Sequence, residues 1–303
     1  MKTVLITGGT GLIGQRLSHL LNEYGYKAIH LSRRKNPKAV YPTYTWDIEK
    51  QTIDLAALKQ ADYIVHLAGA GIADKRWTEK QKQLIINSRT QSTQLLQKTL
   101  QTHNIKPKAI IAASAIGYYG NRADELLTET AGQGKGFAAE VVEKWETAVQ
   151  SFNTLAIRTC IFRVGIVLST KGGALSQMLP SYKVRIGAYF GKGHQYYSWI
   201  HIDDLCKLFI KGIEEKEMEG IYNAVAPNPV TNKTLAESIS TALNQRSLIM
   251  SVPSFALKFL MGEMVELVLN GAKVSAEKVL KTDFYFDFET VIPALEDLVK
   301  RKI

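Results

Sequence analysis

The sequence predicts an α/β protein built on a doubly wound parallel sheet, with a smaller helix-rich lobe at the C-terminal end. Three observations carry this expectation. An apolar run stops at a glycine-rich turn and resumes as a helix; apolar runs then alternate with amphipathic stretches through residue 165; and the texture changes beyond that point.

Val4, Leu5 and Ile6 read as the first strand. The run ends at Gly8-Gly9-Thr10-Gly11-Leu12-Ile13-Gly14, after which Leu12, Ile13, Leu17, Leu20 and Leu21 recur at helical spacing. Glycine here permits unusual backbone angles and leaves no Cβ between the main chain and a ligand, while the N–H groups that open the helix attract an anion. A dinucleotide pyrophosphate is the natural guest, and a strained turn without a ligand is the alternative. Context favours the ligand. The next apolar run, KAIHLSRR, ends about 20 residues past the last glycine, where a Rossmann-type unit reads the ribose.

An NAD-preferring site carries Asp or Glu at that strand tip to accept from the 2′-hydroxyl, but this chain carries Ser32, Arg33 and Arg34. Guanidinium groups grip a 2′-phosphate through charge-assisted pairs, so the expected cofactor is NADP. A solvated basic strand end is the plainer reading, given Lys35 and Lys38 just beyond.

A short helix near Leu55–Lys59 precedes the strand ADYIVHLAGAG. A long amphipathic helix from Thr78 to Thr102 precedes the strand KPKAIIAASAIGYYG, and a helix from about Gly136 to Ser151 precedes LAIRTCIFRVGIVL. This alternation places a dinucleotide-binding domain at 1–165 and a substrate or lid lobe at 166–303, with about 197–228 returning to the core. The lobe has Gly-rich stretches (RIGAYFGKGHQYYSWIHIDDL) and helical segments around Thr231–Asn244 and Phe255–Val268. It is expected to close over the carboxyl ends of the strands, where open α/β sheets bind ligands.

The 303-residue chain carries a net charge of +10. Its cations are scattered and no nucleic-acid module is recognisable, so attraction for an anionic cofactor and substrate is the simpler account. Cys160 and Cys206 lie far apart in apolar runs, which fits buried thiols in a reducing compartment. The N-terminal apolar run is too short for a signal peptide. The run FALKFLMGEMVELVL is broken by Lys258, Glu263 and Glu266, so neither a membrane span nor a membrane partner is expected. A cytoplasmic protein acting on a small molecule is expected, with oligomerisation left open.

The motifs GGTGLIG, SRR, HLAGAG, Ser88-Arg89, SAIGYYG, FAAEVVEKWE, SWIHIDDL, YNAVAPNPVTN and PSFALKFLMGE, in this order, span essentially the whole chain. Together they resemble an atypical branch of the extended short-chain dehydrogenase/reductase superfamily, the sugar-nucleotide (NAD-dependent) epimerase-like family with a C-terminal extension. The resemblance implies an NADP-dependent oxidoreductase or epimerase of unspecified substrate. A catalytically degenerate NADPH-binding regulator is the competing reading.

The resemblance assigns Gly8, Gly11 and Gly14 to the pyrophosphate, with Thr10, Leu12 and Ile13 lining the same turn. It assigns Ser32, Arg33 and Arg34 to the 2′-phosphate, Asp47 and Ile48 to the adenine, and Leu67, Ala68 and Gly69 to the nicotinamide ribose. Asp47 also suits a turn, and His66 suits a satisfied core histidine. In the family Arg89 lies beside the cofactor region, and it is expected to meet a phosphate or to solvate its helix face; Trp77, Lys80 and Lys82 are expected as neighbours of the cleft or as an amphipathic helix start with exposed cations. Active relatives stack a Tyr-x-x-x-Lys pair on one helix face, the ammonium lowering the phenol's pKa. Phe137 and Val141 occupy those positions, and Lys144 lies two turns on, too far to substitute.

Ser114, Tyr118 and Tyr119 are therefore the catalytic candidates, although the usual catalytic serine aligns with Ala115 and Tyr119 matches a structural tyrosine. Gln195, Ser198 and His201 are the substrate candidates from the lobe. Asp203 and Asp204 are expected to cap the following helix rather than to bind a metal.

Overall fold

The computed structural model describes residues 1–301. The first half builds strands β1 (Thr3–Thr7), β2 (Lys27–Ser32), β3 (Thr43–Asp47), β4 (Thr52–Ile53), β5 (Tyr63–His66) and β6 (Ala109–Ala115). Helices α1 (Leu12–Glu23), α2 (Leu55–Lys59) and α3 (Glu79–Thr102) connect them. A 3-10 turn at Ile116–Tyr119 and the short strand β7 (Leu126–Leu127) then lead to α4 (Phe137–Gln150) and β8 (Arg158–Val164).

The lobe contributes β9 (Ile166–Leu168), α5 (Gly173–Tyr182), β10 (Ile186–Phe190), β11 (Tyr196–Tyr197), β12 (Trp199–His201), α6 (Ile202–Glu214) and β13 (Gly220–Ala224). Beyond these come β14 (Val230–Thr231), α7 (Asn232–Ala242), β15 (Leu248–Val252), α8 (Ser254–Met261) and β16 (Lys273–Val274), and a helix at Val291–Lys300 closes the described chain.

Eight strands form one sheet in the order β13-β8-β6-β5-β1-β2-β3-β4, and every pairing is parallel except β3 with β4. Helices cover both faces, so the central strands read as continuous apolar runs: β1 and β5 are buried at every residue. The edge strand β13 follows α6, so the chain leaves the sheet after β8, builds part of the lobe and returns to finish it. Cys160 and Cys206 are buried free thiols. Among the described residues, no helix is long and apolar enough to cross a membrane.

Helix ends differ in a way that bears on ligand binding. The side chain of Asp54 caps α2 by accepting from the Ala56 N–H, and Thr78 caps α3 by accepting from the Gln81 N–H. Helix α1 starts from Gly11, which has no side chain to offer, so its first N–H groups face outward unsatisfied by a cap.

Helix α6 departs from expectation. Its cap is His201, whose Nδ1 accepts from the Asp203 N–H at 3.1 Å, and not either aspartate. Asp203 instead takes the Arg16 guanidinium of α1 at 2.6 and 2.9 Å and Arg301 at 2.6 Å, while Asp204 accepts from the Asp287 and Phe288 N–H groups at 2.9 and 3.1 Å. The pair of aspartates thus ties the lobe's first long helix to α1 and to the C-terminal segment.

Burial works against the Asp203 charge, but the hydrogen bonds from Arg16 and Arg301 outweigh it and hold the carboxyl down at about 2. A carboxyl depressed below its unfolded value of about 3.9 stabilises the fold above that pH and loses the contribution as pH falls toward its folded value. Urea midpoints for the parent and Asp203→Asn are therefore expected to differ at neutral pH and to converge between about pH 4 and pH 2.

Candidate functional site

The glycine turn between β1 and α1 is closed by the Gly11 N–H donating to the Gly8 carbonyl at 3.0 Å. Gly8 has φ of +70°, and a Cβ at Gly14 would sit 2.6 Å from both the Gly8 oxygen and the Gly9 Cα. Both positions thus require glycine, one for backbone angle and one for close packing of helix on turn. A cleft of roughly 360 Å³ opens over this turn, walled by Gly8, Gly11, Ile13, Leu67, Val167 and Gly173. Thr10 stands exposed at its rim and Leu12 half-buried within it.

The neighbouring strand tip is set by a chain of hydrogen bonds. The Leu67 and Ala68 N–H groups both donate to Thr7 Oγ1 at 3.1 Å, leaving that hydroxyl to donate to His66 Nδ1 at 2.8 Å. Burial pulls the His66 pKa down to about 4, so the ring is neutral and its Nε2–H donates to Thr93 Oγ1 at 2.9 Å. The Thr93 hydroxyl in turn donates to the Arg89 carbonyl at 2.7 Å. His66 is a core histidine that orients the Leu67–Gly69 backbone through Thr7.

Ser88 and Arg89 hold the next peptide. The Ala70 N–H donates to Ser88 Oγ at 2.9 Å and the Ala70 carbonyl accepts from Arg89 Nη1 at 2.9 Å. The Arg89 guanidinium lies 4.9 Å from the Trp145 ring centre, and burial lowers its pKa to about 10, which leaves it charged at neutral pH. A Cβ on Gly69 would come within 3.0 Å of Arg89 Cζ, so the loop and the cation pack directly.

At the β2 tip, Ser32 is half-buried and Arg33 and Arg34 are exposed. Asp47 accepts from the Lys50 N–H at 3.0 Å, which is the turn role, with Ile48 half-buried beside it.

The three catalytic candidates part company. Ser114 Oγ donates to Glu146 Oε1 at 2.6 Å, and Glu146 is also gripped by Arg163 through Nε and Nη2, both at 2.8 Å. Arg163 Nη1 donates to the Tyr119 hydroxyl at 3.0 Å, which donates to Asn223 Oδ1 at 2.7 Å. Burial opposes the Arg163 charge, yet Glu146 more than compensates and keeps the guanidinium protonated. Ser114 and Tyr119 are therefore committed to a buried structural network. Tyr118 is half-buried, its ring 3.6 Å from Arg163 Cζ, and its hydroxyl meets no hydrogen-bond partner among the described residues.

The three substrate candidates are turned inward. Gln195 Nε2 donates to the Phe190 and Val268 carbonyls at 3.2 and 2.8 Å. Ser198 Oγ donates to the Ala272 carbonyl and accepts from the Val274 N–H, at 2.8 and 2.9 Å. His201 is fully buried at the start of α6. Their polar atoms staple the lobe together by meeting backbone groups at the end of β10, at Val268 and Ala272, in β16 and in the first turn of α6.

Sequence reasoning missed Glu146, Arg163 and Thr7. The first two left a signal: a carboxylate on the apolar face of α4, in register with Val142 and Val149, and a guanidinium inside the apolar run CIFRVG. Two opposite charges in two buried stripes are each costly alone, so they call for one another.

The fold is the Rossmann-like α/β class, and the chain belongs to the NAD dependent epimerase/dehydratase family, whose pattern matches residues 4–224. A second pattern, a domain of unknown function (DUF1731), matches residues 252–298. The chain is 36% identical to the "Epimerase family protein SSP1921" of Staphylococcus saprophyticus, covering 99% of this chain and 100% of that one. It is 33% identical to the "Epimerase family protein YfhF" of Bacillus subtilis, covering 98% and 97%. The crystal structure of human epimerase family protein SDR39U1 with NADPH superposes with a TM-score of 0.89 at 31% identity, over 98% of this chain and 99% of that one.

Truncating one member of the buried pair strands the other charge. Glu146→Leu and Arg163→Met are each expected to cost about 3–5 kcal/mol in urea denaturation, and the double variant less than either single change.

Proposed function

We propose that the protein is an NADP-dependent oxidoreductase of the short-chain dehydrogenase/reductase superfamily that reduces a carbonyl compound. The observation that carries this reading is the tip of β2, where two exposed arginines stand and no carboxylate is present to meet a 2′-hydroxyl. The glycine turn fits the cofactor, since a Cβ at Gly14 would fill the cradle and the first N–H groups of α1 lack a side-chain cap. The human relative crystallised with NADPH supports the same choice.

In this reading Gly8, Gly11 and Gly14 hold the pyrophosphate, Ser32, Arg33 and Arg34 the 2′-phosphate, and Leu67, Ala68 and Gly69 the nicotinamide ribose. Bound NADPH supplies a hydride, with its electron pair, to the carbonyl carbon. Tyr118 holds the proton that the carbonyl oxygen takes up, and Arg163 beneath its ring fixes the phenol's position. With Val141 in place of a lysine, nothing on that helix face assists the phenolate, so donation is favoured over abstraction and reduction over oxidation.

The apolar Phe137 and Val141 also favour a second reading, an NADPH-binding regulator without turnover. NADPH oxidation across a panel of carbonyl compounds separates the two.

Arg33→Ala combined with Arg34→Ala is expected to weaken NADPH binding by about tenfold or more and leave NADH binding unchanged, as read by fluorescence titration. Equal affinities for the two cofactors in the parent protein would remove the basis for the assignment. Tyr118→Phe is expected to lower kcat by about 100-fold or more with little change in KM.

A further inference from the structure

Along the sheet the strand tips run β3, β2, β1, β5, β6. A dinucleotide anchored by the β2 arginines and the β1 turn therefore ends over β5 and β6, and its substrate meets whatever lies beyond those two tips. What lies there is apolar. Trp77, Ile85 and Val141 are buried together, with Ile72, Phe137, Met264 and Leu267 packed against them. The Trp77 ring meets Phe137 edge-on at 4.8 Å, and its N–H is already given to the Ile72 carbonyl at 2.8 Å. Gly117, next to Tyr118, lies against Ala138, the residue after Phe137 on α4.

Charge reaches the edge of the cluster at three places: Arg89 Nη1 donates to the Ile85 carbonyl at 3.0 Å, the Glu266 carboxylate stands beside Gly136, next to Phe137, and Lys82 approaches from α3. Lys82 Nζ stands 5.6 Å from the centre of the Phe137 ring and is neutralised by Glu79 at 3.1 Å and Glu263 at 2.6 Å. The seven side chains of the cluster itself are apolar apart from the Trp77 N–H, which is already used, so a ring of sugar hydroxyls set among them would be desolvated without partners.

Met264 and Leu267 arrive on a lightly anchored segment. It comprises α8, a 3-10 turn at Gly262–Val265 and a single helical turn at Glu266–Leu269, and only Leu257 and Val265 in it are buried. Phe255, Phe259 and Leu260 point into solvent, exposed by 78%, 84% and 62%. Arg76 donates to the Phe259 and Leu260 carbonyls and Lys82 pairs with Glu263, while at the far end of the segment Gln195 Nε2 and the Tyr197 hydroxyl both hold the Val268 carbonyl at 2.8 Å. Few buried side chains and short helices mark Ser254 to Val265 as the part that opens at low cost, with Val268 as its anchored end.

We propose that the substrate carries an apolar, aromatic or alkyl body, and that this body takes the place of Met264 against Trp77 and Phe137. Methionine suits the exchange, being flexible and polarizable enough to leave and return without a fixed packing geometry. The inference rests on the reading of the cleft as a hydride-transfer site.

The test is calorimetric titration of the full-length protein, saturated with NADP⁺ so that no turnover occurs, with 2-naphthaldehyde and separately with UDP-glucose. A parallel assay follows NADPH oxidation by the aldehyde. Expected are saturable naphthaldehyde binding at least about tenfold tighter than UDP-glucose, binding tightened about threefold by Met264→Ala, and binding weakened about tenfold by Phe137→Ser, all in variants with unchanged circular dichroism. The gain with Met264→Ala is the discriminating result, because a purely structural methionine gives a loss. Tighter UDP-glucose binding, or a Met264→Ala variant that binds naphthaldehyde no better than the parent, overturns the proposal. Naphthaldehyde binding with the expected variant pattern but without NADPH oxidation keeps the apolar site and overturns the oxidoreductase reading instead.

Discussion

The buried ion pair between Glu146 and Arg163 organises the side of the sheet where chemistry is expected. Glu146 comes from α4 and Arg163 from β8, and through Ser114, Tyr119 and Asn223 the pair also reaches β6, the 3-10 turn after it, and β13. Two charges taken out of water are tolerated only when every lone pair and donor finds a partner. Here Glu146 receives three hydrogen bonds, and Arg163 donates three while its flat face covers the Tyr118 ring. Three groups that resemble a catalytic set in the sequence are therefore divided by this pair, two as its ligands and one as its cover.

The cofactor side is governed by a neutral chain rather than a charged one. Thr7, His66 and Thr93 relay hydrogen bonds from the Leu67 and Ala68 backbone to α3, and each group has one assigned donor direction. A histidine kept uncharged by burial makes that direction permanent across the physiological range. The tip of β5 is thus fixed by hydroxyls and an imidazole, with Ser88 and Arg89 holding Ala70 after it.

Most of the scaffold was legible in the residues because it is written in local patterns. The Gly8–Gly14 turn, the apolar strands and the amphipathic α3 and α4 each carry their signal within a few residues, and the missing carboxylate after Leu31 is visible directly. Side-chain commitment was not legible. Whether Ser114 is free depends on Glu146, 32 positions away, and whether Ser198 is free depends on Ala272 and Val274, more than 70 positions away. His201 and Asp203 show the same limit in another form: the aspartates are the better caps by propensity, but the helix starts at Ile202, which puts the imidazole at the cap and both aspartates inside the first turn, where Arg16 and Arg301 pair with Asp203.

The late return of β13 to the sheet has a consequence for how the chain comes to be folded. During synthesis β8 emerges well before Gly220–Ala224, and until then its outer edge presents a row of unpaired N–H and C=O groups. An open parallel edge is a template for any extended chain nearby, including a second nascent copy. The intervening segment supplies α6 before the strand itself, so a helix is already available to shield the adjacent face while the edge waits. Asn223, which completes the Tyr119 hydrogen bond, arrives only with β13. The buried charges of α4 and β8 thus gain their last neutral partner at the step that closes the sheet, which couples the end of strand assembly to the locking of the site.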